Sequence, residues 1–281
     1  MIYFDHNATS PLCRAAREAW LEAVERYPAN PSSPHRLGAR SEAALNQARH
    51  TVAEWLGCSP MDIVWTSGAT EANNSLLYHL GLDAPGEVWV SAIEHPSILQ
   101  PARRWFGKRL RLIPVTREGI IDLDWLSTHL KSARPAVVAI MAANNETGVL
   151  QRWRDALRLC REHDVPFACD AAQWIGKLPA VGLGECDFVT GCAHKFGGPV
   201  GIGFMKVPPV FRSLLVGGEQ EDGRRAGTEN LPGVLAMVAA WEQREKQIAA
   251  GEHTRRECWR HDLLQELRAP LPASELLGEG A

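Results

Sequence analysis

Five stretches of the sequence set chemically capable side chains directly behind apolar runs: TSGATEANN at 66–74, SAIEHPS at 91–97, MAANNETG at 141–148, PFACDAAQ at 166–173 and DFVTGCAHKFGGPVG at 187–201. In the last, the amine of Lys195, once desolvated, can form a Schiff base with an aldehyde, and His194 and Cys192 can help to hold a phosphate. The small residues of the first let backbone N–H groups and the Thr70 hydroxyl face an anion at a helix N-terminus. Asp170 can pair with a protonated ring nitrogen and keep it protonated. His95 can stack on a flat ring, and Asn144 and Asn145 can donate to a carboxylate or a ring oxygen.

Each group also has a plain structural reading: a solvated loop lysine, a satisfied histidine, an aspartate capping the next helix, an Asn-Asn turn, a strand-Gly-helix turn. Their agreement carries more than any one of them. A phosphate seat, a ring-stacking imidazole, amide donors, an acid for a ring nitrogen and an amine for an aldehyde together describe a pocket for pyridoxal phosphate.

For these groups to meet, the runs before them must be neighbouring strands. DIVWTS, EVWVSA, RLRLIPV, AVVAIM, PFACD and DFVTG alternate for the most part with helical stretches near 71–80, 98–105, 123–131 and 154–162. That alternation predicts an α/β fold with a largely parallel sheet covered on both faces, whose strand carboxyl ends gather the ligand. Ahead of it, Ser10-Pro11 reads as an N-cap and first-turn proline opening a helix to about residue 27, and a second helix spans about 39–56. Behind it, 232–268 reads as helix.

With 45% hydrophobic residues over 281 positions, the chain can bury a large core. A formal net charge of -3 gives no basic stripe, so no nucleic-acid partner is expected. No leader pattern or membrane-length apolar window is found, so no membrane partner is expected. The seven cysteines show neither CxxC pairs nor zinc spacing, which predicts reduced thiols, a cytoplasmic setting and no metal site. Most of the ten tryptophans are expected in the core or at interfaces.

At this point the chain resembles the NifS/IscS-type cysteine desulfurases, of the class V aminotransferase group of fold-type I pyridoxal phosphate enzymes. The resemblance rests on YFDHNATSP at 3–11, NPSSPHRLG at 30–38, TSGATEANN, EHPS, NNETG, DAAQ, GK at 176–177, AHKFGGP at 193–199 and GGEQEDGRRAGTEN at 217–230. It implies that Lys195 forms the internal aldimine and moves protons, with His95 stacked over the ring and active in acid/base steps. It further implies Asp170 on the pyridine nitrogen, Gln173 on the ring hydroxyl oxygen and Asn145 on that oxygen or the substrate carboxylate. Ala69, Thr70, Cys192 and His194 would seat the phosphate, joined by Thr228 from the neighbouring subunit of a homodimer. The implied cofactor is pyridoxal 5'-phosphate, the implied substrate L-cysteine, and a sulfur-acceptor or scaffold protein, as in iron-sulfur cluster assembly, the implied partner.

The chain departs from the family at Cys192, where serine is usual, at Val200, where lysine is common, and at RAGT (225–228) in place of RSGT. The resemblance also implies that the chain stops before the mobile loop with the nucleophilic cysteine and the arginine that grips the substrate carboxylate. The expected organisation is an N-terminal segment 1–11, a cofactor-binding large domain 12–252 and the start of an incomplete small C-terminal domain at 253–281, whose absence would bare apolar surface after 232. Three functions follow as expectations: a cysteine desulfurase making L-alanine and a persulfide but lacking its nucleophile loop, a thiol-independent lyase or transaminase, or a non-catalytic dimerising partner of a full-length desulfurase.

Overall fold

The computed structural model describes residues 2–83, 85–271, 276 and 278. Seven strands form one sheet: β1 (Ile63–Thr66), β2 (Val88–Ser91), β3 (Leu110–Ile113), β4 (Val137–Ala139), β5 (Phe167–Asp170), β6 (Phe188–Cys192) and β7 (Gly203–Lys206), in the order β1-β7-β6-β5-β4-β2-β3. The sheet from β3 to β6 is parallel, whereas β7 runs antiparallel to both β1 and β6. The six strands expected from the apolar runs are present, and β7 is one that the runs did not reveal.

Strands buried on both faces read as continuous apolar runs, which is why IVWT and VWVS are hydrophobic at nearly every position. Alternation still divides the side chains. Trp65, Trp89, Val138, Phe167, Cys169 and Val189 pack on one face, while Val64, Val88, Val90, Val137, Ala139, Ala168 and Phe188 pack on the other.

The first face is covered by α1 (Arg14–Arg26), α2 (Arg36–Leu56), α5 (Leu123–Leu130), α6 (Trp153–Glu162) and α7 (Leu231–Ala249), and the second by α3 (Ala69–Asp83) and α4 (Pro96–Phe106). Trp241 of α7 is fully buried, stacked on Phe204 and tilted against Trp55 and Phe196. Five of the tryptophans, 65, 89, 153, 174 and 241, are buried, and Trp259 is exposed.

Two expectations about helix ends are corrected. The first helix begins at Arg14 with Cys13 as its N-cap, not at Ser10. Ser10 is committed elsewhere: its N–H donates to the His194 carbonyl at 2.7 Å and its hydroxyl to the Lys195 carbonyl at 3.0 Å. The helix expected over 232–268 is two helices, broken at Gly251 in the left-handed region before α8 (Glu252–Arg268). That last helix buries none of its residues and exposes Trp259, Leu263 and Leu267. No helix among the described residues is long and apolar enough to cross a membrane.

Candidate active site

The carboxyl ends of β1, β2, β4, β5 and β6 surround a cavity of about 500 Å³. Its lining includes Ala69, Thr70, His95, Asn145, Asp170, Gln173, Cys192, His194 and Lys195. Nine of the ten expected site residues therefore share one space. Thr228 does not line it and is exposed.

At one end, β1 turns through Ser67-Gly68 into α3. Gly68 sits at φ 152°, and a side chain on Gly203 of β7 would come within 2.7 Å of the Gly68 Cα, so both glycines are needed for the close crossing of β7 and this turn. The first-turn N–H groups of a helix have no intrahelical acceptor, and Ala69 and Thr70, which open α3, line the cavity. Burial raises the Cys192 thiol to about 12, so it stays protonated, and its sulfur lies 3.9 Å from His194 Nε2. Burial, then the charge of Lys195, lowers the His194 imidazole, which favours its neutral form with one N–H to donate.

Elsewhere on the cavity wall, Asp170 closes β5. No helix follows it, and the expectation of a cap is replaced by a turn in which Asp170 Oδ1 accepts from Ala172 N at 2.9 Å. Oδ2 accepts from Asn73 Nδ2 at 2.8 Å. Burial raises the Asp170 carboxyl, opposed by those hydrogen bonds and by the positive charge of His95 and Lys195. Glu94, buried behind it, accepts from Met141 N at 2.5 Å and has its other oxygen unpartnered. Burial and the nearby Asp170 raise it well above the usual carboxylate range.

Asn73 also donates to Ser97 Oγ at 2.9 Å, and that hydroxyl lies 2.8 Å from His95 Nδ1. Ser97 N reaches the same nitrogen at 3.1 Å, so a neutral His95 carries its proton on Nε2. Thr190 Oγ1 donates to Asn73 Oδ1 at 2.7 Å, completing the buried network.

Lys195 Nζ donates to the carbonyls of Asn7 at 2.6 Å and Ala8 at 2.9 Å. Gln173 Nε2 donates to the same Asn7 carbonyl at 2.8 Å. Lys177 donates to Gln173 Oε1 and, at 3.1 Å, to Asn7 Oδ1. Asn144, offered by the sequence as a possible donor to a ligand, instead builds its turn: its Oδ1 accepts from the N–H groups of Glu146 and Thr147, both at 2.9 Å. Asn145 remains at the cavity wall.

Sequence reasoning did not find Asn73, Ser97, Asn7 or Lys177 as participants. All four lie in motifs that the sequence shows, but the role of the first two is visible only once β1, β2, β5 and β6 are side by side, and that of the last two only once the N-terminal segment meets the loop after β5. Arg225 was also missed. It binds Glu71 at the cavity rim at 2.9 Å and brings the RAGT stretch against the start of α3.

The donor set fits pyridoxal phosphate. A helix N-terminus with hydroxyl and imidazole groups suits a phosphate, a buried carboxylate suits a ring nitrogen, and a lysine amine and an imidazole line the same cavity. Comparisons with known proteins agree. The aminotransferase class-V family matches residues 2–279. The cysteine desulfurase of Klebsiella pneumoniae is 37% identical, covering 99% of this chain and 71% of that protein. A solved NifS-like protein superposes with a TM-score of 0.88 at 31% identity, covering 95% of this chain and 76% of its own. The structure of SspA in complex with cysteine has a TM-score of 0.78 at 31% identity, covering 86% of this chain and 72% of its own.

Proposed function

Because this chain belongs to the aminotransferase class-V family, among relatives of the cysteine desulfurases, we propose that it binds pyridoxal phosphate in the strand-end cavity and acts on L-cysteine. The observation that carries this reading is the convergence of Lys195, His95, Asp170, Gln173 and the Ala69-Thr70 helix start on one cavity. The net reaction takes L-cysteine and an acceptor thiol to L-alanine and a persulfide. The C–S bond breaks, an S–S bond forms, and the carbon that loses sulfur takes up the proton released by the thiol.

When bound, the cofactor supplies an electron sink for negative charge at the substrate α-carbon. Lys195 would hold the cofactor through its aldehyde carbon, and its release from the Asn7 and Ala8 carbonyls frees the amine to move protons. Asp170 would hold the proton of the ring nitrogen, with Asn73 fixing the carboxylate that does so. His95, its Nδ1 engaged by Ser97, presents Nε2 for stacking and proton transfer. Gln173 would contact the ring oxygen, and Asn145 that oxygen or the substrate carboxylate. Ala69, Thr70, Cys192 and His194 would seat the phosphate.

Thr228, exposed and outside the cavity, is assigned to the phosphate of a neighbouring subunit in a homodimer. Of the division into 1–11, 12–252 and 253–281, the second boundary is supported by the break at Gly251, and residues 272–275, 277 and 279–281 of the last unit lie outside the described residues. The seven free cysteines support a reducing, cytoplasmic setting.

Among the described residues, Cys192 is the one thiol on the cavity wall, and burial keeps it protonated. The attacking thiolate must therefore come from another group or from an acceptor protein. The same observation favours a second reading, elimination of sulfide with water, giving pyruvate, hydrogen sulfide and ammonia. The deciding experiment adds pyridoxal phosphate and L-cysteine. A borohydride-reducible visible band lost in Lys195→Ala supports the cofactor reading, and a band unchanged by that substitution overturns it. Alanine as product supports sulfur transfer, and pyruvate without alanine supports elimination.

A further inference from the structure

A second cavity, of about 550 Å³, adjoins the first and shares Ala143 and Gln173 with it. Its walls differ in character. Lys177, Arg256 and Arg260 contribute positive charge and, among the described residues, Glu257 the one carboxylate, while Val149, Leu150 and Leu178 supply an apolar side. His253 and Arg256 also line it, and His253 Nδ1 and Arg256 Nε are buried atoms without a hydrogen-bond partner. Arg256 donates to the Lys177 carbonyl, and its Nε lies 3.8 Å from Glu252, which is held more closely by Arg244 at 3.0 Å. Lys177 has only amide oxygens as partners, Asn7 Oδ1 and Gln173 Oε1, and an ammonium has three hydrogens to donate.

Partly buried cations are ordinarily neutralised by an acid, and among the described residues Lys177 has no carboxylate partner. Burial, followed by the charges of Lys195, Arg256 and Arg244 and opposed by Cys192, lowers the Lys177 amine to about 8. A negative ligand would relieve that repulsion and complete the open hydrogen bonds.

We propose that the second cavity is a carboxylate-binding site, in which Lys177 and Arg256 hold the anionic head of a small organic acid and Val149, Leu150 and Leu178 receive its apolar body. The site adjoins the cofactor cavity across Ala143 and Gln173 but does not require the reaction proposed above. It places an anion beside Asn7 and Gln173, the residues that connect Lys177 to Lys195.

The test titrates the whole chain with benzoate by calorimetry, with and without saturating pyridoxal phosphate, and repeats it with neutral benzamide. Benzoate should bind about tenfold more tightly than benzamide, and Lys177→Met and Arg256→Met should each weaken benzoate about tenfold, the loss of one charge-assisted bond. Binding should weaken as pH rises through about 8, where Lys177, facing Lys195, Arg244, Arg256, Arg260, His253, Glu257 and Cys192, loses its proton. Saturation with pyridoxal phosphate should leave the benzoate affinity unchanged. Equal binding of benzamide, insensitivity to both substitutions, or displacement by pyridoxal phosphate would each overturn the proposal. Because the cofactor band is read separately, loss of this site and loss of the cofactor reading are distinguishable.

Discussion

Asn73 Nδ2 donates to Asp170 Oδ2 at 2.8 Å across 97 residues of sequence, and both side chains are buried. The amide also reaches Ser97 and through it His95, so one side chain helps to set the positions of both the carboxylate and the imidazole on the cavity wall. Asn73→Ala leaves Asp170, Ser97 and Thr190 each short of a partner. It should cost about 3 kcal/mol of stability by urea unfolding, since each orphaned buried polar group costs about 1–3 kcal/mol. It should also weaken pyridoxal phosphate retention on dialysis, whereas a wild-type profile in both assays would remove Asn73 from the site.

The raised Asp170 carboxyl makes a pH prediction with a definite sign. A folded carboxyl with a raised pKa keeps its proton to higher pH than the unfolded chain, so its contribution to stability falls as pH rises from the unfolded range near about 4 and stays reduced above the folded value. The difference in unfolding free energy between wild type and Asp170→Asn should therefore decrease between about pH 4 and pH 7. A constant difference would show that Asp170 ionises in the folded chain as it does in the unfolded one.

The thiols should separate under alkylation. Burial first of all raises Cys58 to about 11 and both Cys160 and Cys192 to about 12, and it raises the fully buried Cys169 as well. Thiolate is the reactive form. Iodoacetamide at about pH 8 should modify exposed Cys258 while sparing these four, as read by peptide mass spectrometry, and denaturation should make all of them reactive. Rapid labelling of native Cys192 would revive it as a sulfur acceptor.

The loop before α7 depends on a buried pair. Arg49 binds both oxygens of Glu221, at 2.8 and 2.9 Å, and Glu221 also accepts from Trp65 N at 3.0 Å. Glu221 and Asp222 hold positive φ of 53° and 56°, a conformation unfavourable for residues with a side chain, and the ion pair secures it. Glu221→Ala should destabilise the protein by about 3–5 kcal/mol in chemical denaturation, because it strands a buried guanidinium. A change below about 1 kcal/mol would place the pair among those with no net worth.

The strands that carry the site were legible because a strand buried on both faces must be apolar along its length, and residues 63–65, 88–90 and 167–169 are. The polar residues at their ends stood out against those runs. Strand β7 did not, since GFMK is short, opens on glycine and closes on lysine, and its antiparallel place between β1 and β6 is set by the sheet. Ser10 misled for a related reason. Its local pattern favours an N-cap, but its donors are taken by the carbonyls of His194 and Lys195.

Lys195, His95 and Asp170 were chosen from the sequence by chemical type, which local composition reveals. That Asn7 accepts from Lys195 and Lys177 across 188 and 170 residues is decided by the tertiary structure alone. Hydrogen bonds between distant segments leave no period in the chain. They arise because the parallel sheet brings strand ends, and the loops behind them, to one edge, where burial then forces each polar group to find a partner.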